Sequence, residues 1–87
     1  MRYYDNGRYY TVSVSKREVE AFKRRWPCSE LPDKSIAFQF DKRNGDLVDI
    51  SLDVDGPDVL ALSEDAQAYG ESAVSASSPI SDAVTAV

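Results

Sequence analysis

Two Asn-Gly dipeptides, Asn6-Gly7 and Asn44-Gly45, constrain the fold most strongly, because each lies between runs of β-branched and aromatic residues. Asn and Gly adopt the positive φ angles of tight hairpin turns, whereas the flanking residue types favour extended strands. Each dipeptide therefore predicts a β-hairpin, and the chain is predicted to contain four strands in two pairs.

The register of the first hairpin follows from its apolar pattern. A two-residue turn at Asn6-Gly7 gives four predicted pairs: Asp5 with Arg8, Tyr4 with Tyr9, Tyr3 with Tyr10, and Met1 with Val12. The same register places five side chains on one face: Met1, Tyr3, Tyr10, Val12 and Val14. We expect that face to be buried, and we expect Tyr4 and Tyr9 to lie together on the opposite face.

The second hairpin is predicted to have a three-residue loop, Arg43 to Gly45, with Gly45 in the left-handed conformation. This loop gives three predicted pairs: Phe40 with Val48, Phe38 with Ile50, and Ile36 with Leu52. All six side chains then share the buried face with Val54. The alternation sends four residues to the opposite face: Asp49, Ser51, Asp53 and Asp55.

Two helices are predicted from signals at their ends. Ser15 and Glu18 form a capping box, and Pro27 ends this first helix at about Trp26. Its apolar stripe is Val19, Phe22 and Trp26. The second helix begins near Pro57 and ends at Gly70, which is predicted to be its C-terminal cap. Its inward stripe is Val59, Leu62, Ala66 and Tyr69.

The element order is therefore strand, strand, helix, strand, strand, helix. This order predicts an α+β fold, a two-layer sandwich in which an antiparallel sheet of two hairpins carries both helices on one face. Residues 1–70 are predicted to form the single domain. Residues 71–87, rich in Ser, Ala and Val, are predicted to be a disordered tail.

The charge is polarised along the chain. All ten Lys and Arg residues lie at or before Arg43, whereas nine of the fifteen Asp and Glu residues follow it. The net formal charge of the whole chain is −5. Such an asymmetry is informative about partners and solubility rather than about fold. It predicts that the second half of the chain meets a positively charged partner.

The composition disfavours catalysis. The chain has no histidine, which excludes His-based acid-base catalysis, the Ser-His and Cys-His nucleophile pairs, and mixed Cys-His zinc sites. The single cysteine, Cys28, has neither a second thiol nor an imidazole to activate it and is predicted to be inert. We therefore expect no enzymatic activity and no cofactor.

The segment 53–56, Asp-Val-Asp-Gly, is similar to the start of a calcium-binding loop, where carboxylates alternate before a glycine. In that alignment Ser51 takes the first position, where an Asp is expected. Leu62 takes the twelfth, where a bidentate Glu is required. Strand alternation explains the spacing without an ion, so no metal site is predicted.

The favoured functional hypothesis is a small acidic protein of the cytoplasm that binds a basic surface on a larger macromolecule and acts as a regulator or inhibitor. Electrostatic steering by clustered carboxylates raises association rates and selects partners of opposite charge. The predicted partner-binding residues are Asp46, Asp49, Asp53, Asp55, Asp58, Glu64, Asp65, Tyr4 and Tyr9. An inhibitor encoded by a mobile element and directed at a host nucleic-acid enzyme fits this size and charge.

Two alternatives remain open. The first helix carries a basic set that is typical of phosphate binding, namely Lys16, Arg17, Lys23, Arg24 and Arg25. The net negative charge of the chain and pairing through Glu20 disfavour nucleic acid as the partner. The other alternative is a homodimer, because a small core and an open sheet face both favour self-association. No apolar run is long enough to cross a membrane.

Overall fold

The computed structural model describes residues 1–82, with side chains as far as Ser75. Its elements are β1 (Arg2–Asn6), β2 (Tyr9–Val14), α1 (Lys16–Arg25), β3 (Ile36–Asp41), β4 (Leu47–Ile50) and α2 (Pro57–Asp82). The four strands pair antiparallel in the order β1-β2-β3-β4. The predicted α+β architecture with the order ββαββα is confirmed.

The hydrophobic core lies between one face of the sheet and the two helices. The sheet contributes Tyr10, Val12, Val14, Ile36, Phe38 and Phe40, and all six are at most 2% exposed. The helices contribute Val19, Phe22, Val59, Leu62 and Ala66. Alternation along β2 and β3 produces this face, since every second residue of a strand points the same way. Both helices therefore lie on one side of the sheet.

The predicted faces of the first hairpin are correct, but its predicted register is wrong by two residues. Asn6 pairs with Tyr9, and Tyr3 pairs with Val12. The two loop residues are Gly7 and Arg8, and only Gly7 has a positive φ, of 82°. A turn centred on Asn6-Gly7 requires a positive φ at both positions. The structure instead places glycine first in the turn, which leaves Asn6 in the strand.

The second hairpin pairs Phe38 with Ile50 as predicted, but the predicted pair of Phe40 with Val48 is wrong. Its loop between the strands has five residues, 42–46, and Gly45 N donates to Asp41 O at 2.7 Å. The ladder then shifts, so that Phe40 pairs with Leu47. Val48 is the extra residue and is 48% exposed rather than buried.

β4 ends at Ile50, earlier than the predicted alternation to Val54. The predicted pair of Ile36 with Leu52 is therefore absent from the strand ladder of the described chain. Asp53 and Asp55 are exposed, but they lie in the irregular segment 51–56 and not on the sheet.

Helix α1 follows its predicted signals. Ser15 Oγ accepts a hydrogen bond from Glu18 N at 3.2 Å, and Glu18 Oε1 accepts one from Ser15 N at 2.9 Å, which completes the capping box. Trp26 is the C-cap, and its N–H donates to Phe22 O at 2.9 Å. These bonds satisfy orphan groups at the two helix ends.

Helix α2 does not end at Gly70 as predicted, because Gly70 lacks the positive φ of a helix cap and the helix continues to Asp82. Gly70 is buried in contact with the Tyr10 ring. The predicted tail therefore begins inside a helix over residues 71–82, and its remainder, 83–87, lies outside the described residues. Tyr69 is 40% exposed, since Gly70 takes the inward position after Ala66. No helix among the described residues is long and apolar enough to cross a membrane.

Candidate binding surfaces

The outer face is the side of the sheet turned away from the helices, and its residues form rows across the strands. One row is Tyr4, Thr11, Gln39 and Asp49, and the next is Arg2, Ser13, Ala37 and Ser51. Adjacent strands lie about 4.8 Å apart, so Tyr4 and Asp49 on the two edge strands are separated by roughly 14 Å. The predicted tyrosines and carboxylates are therefore not brought together at one spot.

Tyr4 and Tyr9 lie on the outer face as predicted, but they do not form a cross-strand pair. Tyr4 is opposite Thr11, and Tyr9 is opposite Asn6. The shift of two residues in the register separates them without changing the face on which they lie. Tyr4 is 47% exposed and lines a groove with Arg2, Lys16 and Arg17 rather than with the predicted partner-binding carboxylates.

Five of the seven predicted acidic residues are exposed, and we call this set the acidic surface: Asp46, Asp49, Asp53, Asp55 and Glu64. They come from the β3–β4 loop, from β4, from the segment 51–56 and from the second turn of α2. None of them forms an ion pair within the described part of the chain. Their charges are thus available to an external partner.

Asp58, also predicted to bind a partner, is a structural residue that is only 6% exposed. Its carboxylate accepts hydrogen bonds from Ser29 Oγ at 2.9 Å, from Glu30 N at 2.7 Å and from Val59 N at 2.9 Å. Burial raises the pKa of Asp58, but these hydrogen bonds outweigh burial and hold that pKa below its ordinary value. Asp58 thereby joins the start of α2 to the loop after α1.

We expect Asp58→Asn to destabilise the fold by about 1–2 kcal/mol at neutral pH, because the charge-assisted hydrogen bonds are lost. The lowered pKa means that this contribution is present above the ordinary aspartate pKa and is lost as the pH falls through the folded-state value. The stability gap between the two proteins should therefore shrink below about pH 4. Urea unfolding at neutral and acidic pH measures it. Asp55→Asn, at an exposed position, is the control and should change stability little.

Asp65 and two of the basic residues of α1 form ion pairs within the chain. Arg25 Nη2 lies 3.1 Å from Asp65 Oδ2, and Lys23 Nζ lies 2.7 Å from Asp33 Oδ1. The predicted nucleic-acid-binding set is therefore divided. Three of its members form no ion pair with any described residue: Lys16, Arg17 and Arg24.

Three charged side chains near the tip of the second hairpin form internal ion pairs: Asp41, Lys42 and Arg43. The guanidinium of Arg43 donates to both carboxylate oxygens of Asp41, at 3.1 and 2.8 Å. These bonds, together with one from Arg43 N, lower the pKa of Asp41 to about 2. Lys42 Nζ lies 2.9 Å from Asp5 Oδ1 and ties this loop to the first hairpin. Asp49 is thus the outer-face carboxylate of the described strands that has no cation beside it.

An apolar groove adjoins the acidic surface, and the sequence patterns did not reveal it. The groove has a volume of about 440 Å³ and is lined by Ile50, Asp55, Gly56, Pro57, Val59 and Leu60. Leu60 is 60% exposed. The position of Leu60 in the sequence could have indicated this groove. Leu60 lies outside the inward stripe of α2, and a leucine off the buried stripe predicts exposed apolar surface.

Among residues 1–75, no group of three or more Cys, Asp or Glu side chains is arranged to hold a metal ion. Cys28 is an exposed free thiol. Comparisons of the chain with protein-family models, with curated proteins and with solved structures find no match.

Proposed function

We propose that this chain is a small non-enzymatic regulator that binds a Lys- and Arg-rich segment of a larger protein through the acidic surface. The observation that carries the proposal is that exposed, unpaired Asp55 lines the apolar groove beside Leu60. Protein interfaces combine a desolvated apolar centre with a polar rim. Here the groove supplies the apolar centre, and the carboxylates supply the polar rim.

The preferred ligand is a segment with an apolar side chain flanked by basic residues. The apolar residue fills the groove, where burial in a desolvated pocket provides most of the affinity. The basic residues meet Asp53 and Asp55, where exposed charge pairs mainly raise the association rate and exclude partners of the wrong sign. The order of apolar and basic residues in the partner therefore sets specificity.

Recognition through side chains is favoured over the addition of a strand to the sheet. β4 is an edge strand, and an exposed edge is a template for pairing with another chain. The irregularity at Val48 interrupts that edge, and bulges of this kind protect edges from pairing. The exposed Val48 side chain instead adds apolar area beside Asp49.

Basic surfaces of this kind occur where proteins hold nucleic-acid phosphates. An acidic protein that occupies such a surface competes with the nucleic acid and inhibits its binding. The small size of the chain and its net charge of −5 support this form of regulation.

The test uses the full chain and two synthetic peptides. A peptide that alternates lysine with leucine should bind more tightly than one with serine in place of leucine, because only the first can fill the apolar groove. Asp53→Asn combined with Asp55→Asn should weaken binding of the lysine-leucine peptide roughly 3- to 30-fold at low salt. Leu60→Ser should remove the preference for leucine. Fluorescence anisotropy over a range of salt concentrations measures both effects.

A matched control changes the net charge equally at other positions. Glu20→Gln combined with Glu71→Gln removes two carboxylates that lie outside the acidic surface. Binding should stay within about 2-fold of the unmodified chain if position matters. Equal weakening by both double variants would show that only total charge matters, which would contradict the proposed site.

A further inference from the structure

A second groove, which we call the basic groove, lies at the end of the sheet where α1 begins, next to the β1 edge. It has a volume of about 640 Å³. Its lining includes Arg2, Tyr4, Ser13, Lys16, Arg17 and Glu18. Arg2 and Tyr4 lie in β1, and Ser13 lies in β2. Lys16 and Arg17 lie in the first turn of α1.

The groove carries an excess of positive charge. Arg2, Lys16 and Arg17 are all exposed, and none of them forms an ion pair with another described residue. Glu18 is the carboxylate in the lining, and it already accepts a hydrogen bond from Ser15 N and contacts the amino group of Met1. Three cations thus face one carboxylate that is engaged elsewhere.

An exposed aromatic ring lies in the same groove. Tyr4 is 47% exposed, and the outer face beyond it continues with the uncharged side chains of Thr11, Tyr9 and Gln39. Asp49 is at the far edge, roughly 14 Å away, which exceeds the Debye length of about 8 Å at physiological ionic strength. The Asp49 carboxylate is therefore largely screened from an anion in this groove.

We propose that the basic groove binds a single-stranded nucleic acid. Arg2, Lys16 and Arg17 hold consecutive phosphates, and the Tyr4 ring stacks on a base. A cationic groove with an aromatic side chain on an open sheet is the arrangement by which proteins bind single strands, since every base has a face that stacks. A duplex hides its base faces, and a phosphopeptide makes no use of the ring.

This site goes beyond the proposed function, because it occupies the opposite edge of the sheet and has the opposite charge. The two surfaces share no residue. A regulator with both sites could contact a nucleic-acid-binding protein through its acidic surface and the strand bound to that protein through its basic groove.

The test is fluorescence anisotropy of the full chain with a labelled oligouridine of about ten nucleotides, a length within the range that one small sheet domain covers. Binding is expected at low salt and should fall steeply as salt is added. Lys16→Gln combined with Arg17→Gln should weaken binding at least roughly 10-fold and reduce the log-log salt slope by about 1.4, because two phosphate contacts are lost. Arg24→Gln combined with Lys34→Gln makes the same change in net charge outside the groove and should weaken binding less than about 3-fold.

Tyr4 separates stacking from simple charge attraction. Tyr4→Leu should weaken binding roughly 5- to 100-fold, whereas Tyr4→Phe should retain it, since the ring rather than the hydroxyl stacks on the base. All of these positions are exposed, and circular dichroism of each variant checks that its fold is unchanged.

Three outcomes would overturn the proposal. The first is the absence of oligouridine binding at low salt. The second is equal loss of binding in the groove variant and in its charge-matched control. The third is sedimentation data showing that the chain self-associates and that Lys16→Gln with Arg17→Gln separates the copies, which would assign the groove to the acidic surface of a second copy. None of these results alters the lysine-leucine peptide test, so the two proposals can fail separately.

Discussion

Replacing Phe38 by alanine is expected to destabilise the protein more than any other single change considered, by about 3–5 kcal/mol. Phe38 lies in β3, is 0% exposed, and packs its ring 6.5 Å from that of Phe40. Truncation removes apolar contacts on every side and leaves a cavity that a small core cannot close. Since domains of this size are stable by only about 5–15 kcal/mol, a large part of the total is lost.

Thermal unfolding followed by circular dichroism measures the effect, and we expect a decrease in Tm of at least about 12 °C. Val48→Ala is the matched control, because Val48 lies in the neighbouring strand β4 but is 48% exposed. It should change stability by less than about 0.5 kcal/mol. A large loss at Val48 would show that β4 has the predicted register, with Val48 under the helices, instead of the observed one.

The second large effect is expected for Gly70→Ala. A Cβ atom at position 70 would lie 2.1 Å from Tyr10 Cε1, well inside van der Waals contact, and the Tyr10 ring is buried with little space to move. Alanine is more favourable than glycine in a helix by about 1 kcal/mol, whereas overpacking of a core costs about 1–3 kcal/mol. We expect a contact this short to cost an amount near the upper end of that range. We therefore expect net destabilisation, measured by urea unfolding.

The opposing terms can be separated with a second substitution. In a Tyr10→Leu background, where the ring is removed, Gly70→Ala should lose most of its cost, and the difference between the two backgrounds is the coupling energy. Ser72→Ala, on the exposed side of the same helix, should be neutral or slightly stabilising. Equal costs of Gly70→Ala in both backgrounds would contradict the packing of Tyr10 against α2.

Sequence patterns predicted which face each strand buries better than they predicted which residues pair. The period of two is a local property, so Tyr10, Val12 and Phe38 were assigned to the core correctly. Pairing depends on the turn. A turn centred on Asn6-Gly7 and the observed turn centred on Gly7-Arg8 bury the same faces, but their registers differ by two residues. The exposed Val48 depends on an irregularity in the ladder, which leaves no local signature in the sequence.

The limits on predicting α2 and the surfaces have a different cause. Gly70 is a residue type typical of a helix cap, but its φ is not positive, and its lack of a side chain instead allows close contact with the Tyr10 ring. Asp58 has the sequence context of an exposed carboxylate, yet its partners Ser29 and Glu30 lie almost thirty residues earlier in the chain. Such contacts between distant segments are set by tertiary packing, which periodicity and propensity do not encode.

Strand order also determines how the two proposed surfaces can change over time. Most of the lining of the basic groove belongs to the first hairpin and the start of α1, whereas the acidic surface belongs to the β3–β4 loop, β4 and the chain that follows it. The free-energy effects of substitutions more than about 10 Å apart and without shared partners usually add. Substitutions in the basic groove can therefore change its specificity while that of the acidic surface stays constant, and the reverse. The two binding specificities can evolve independently.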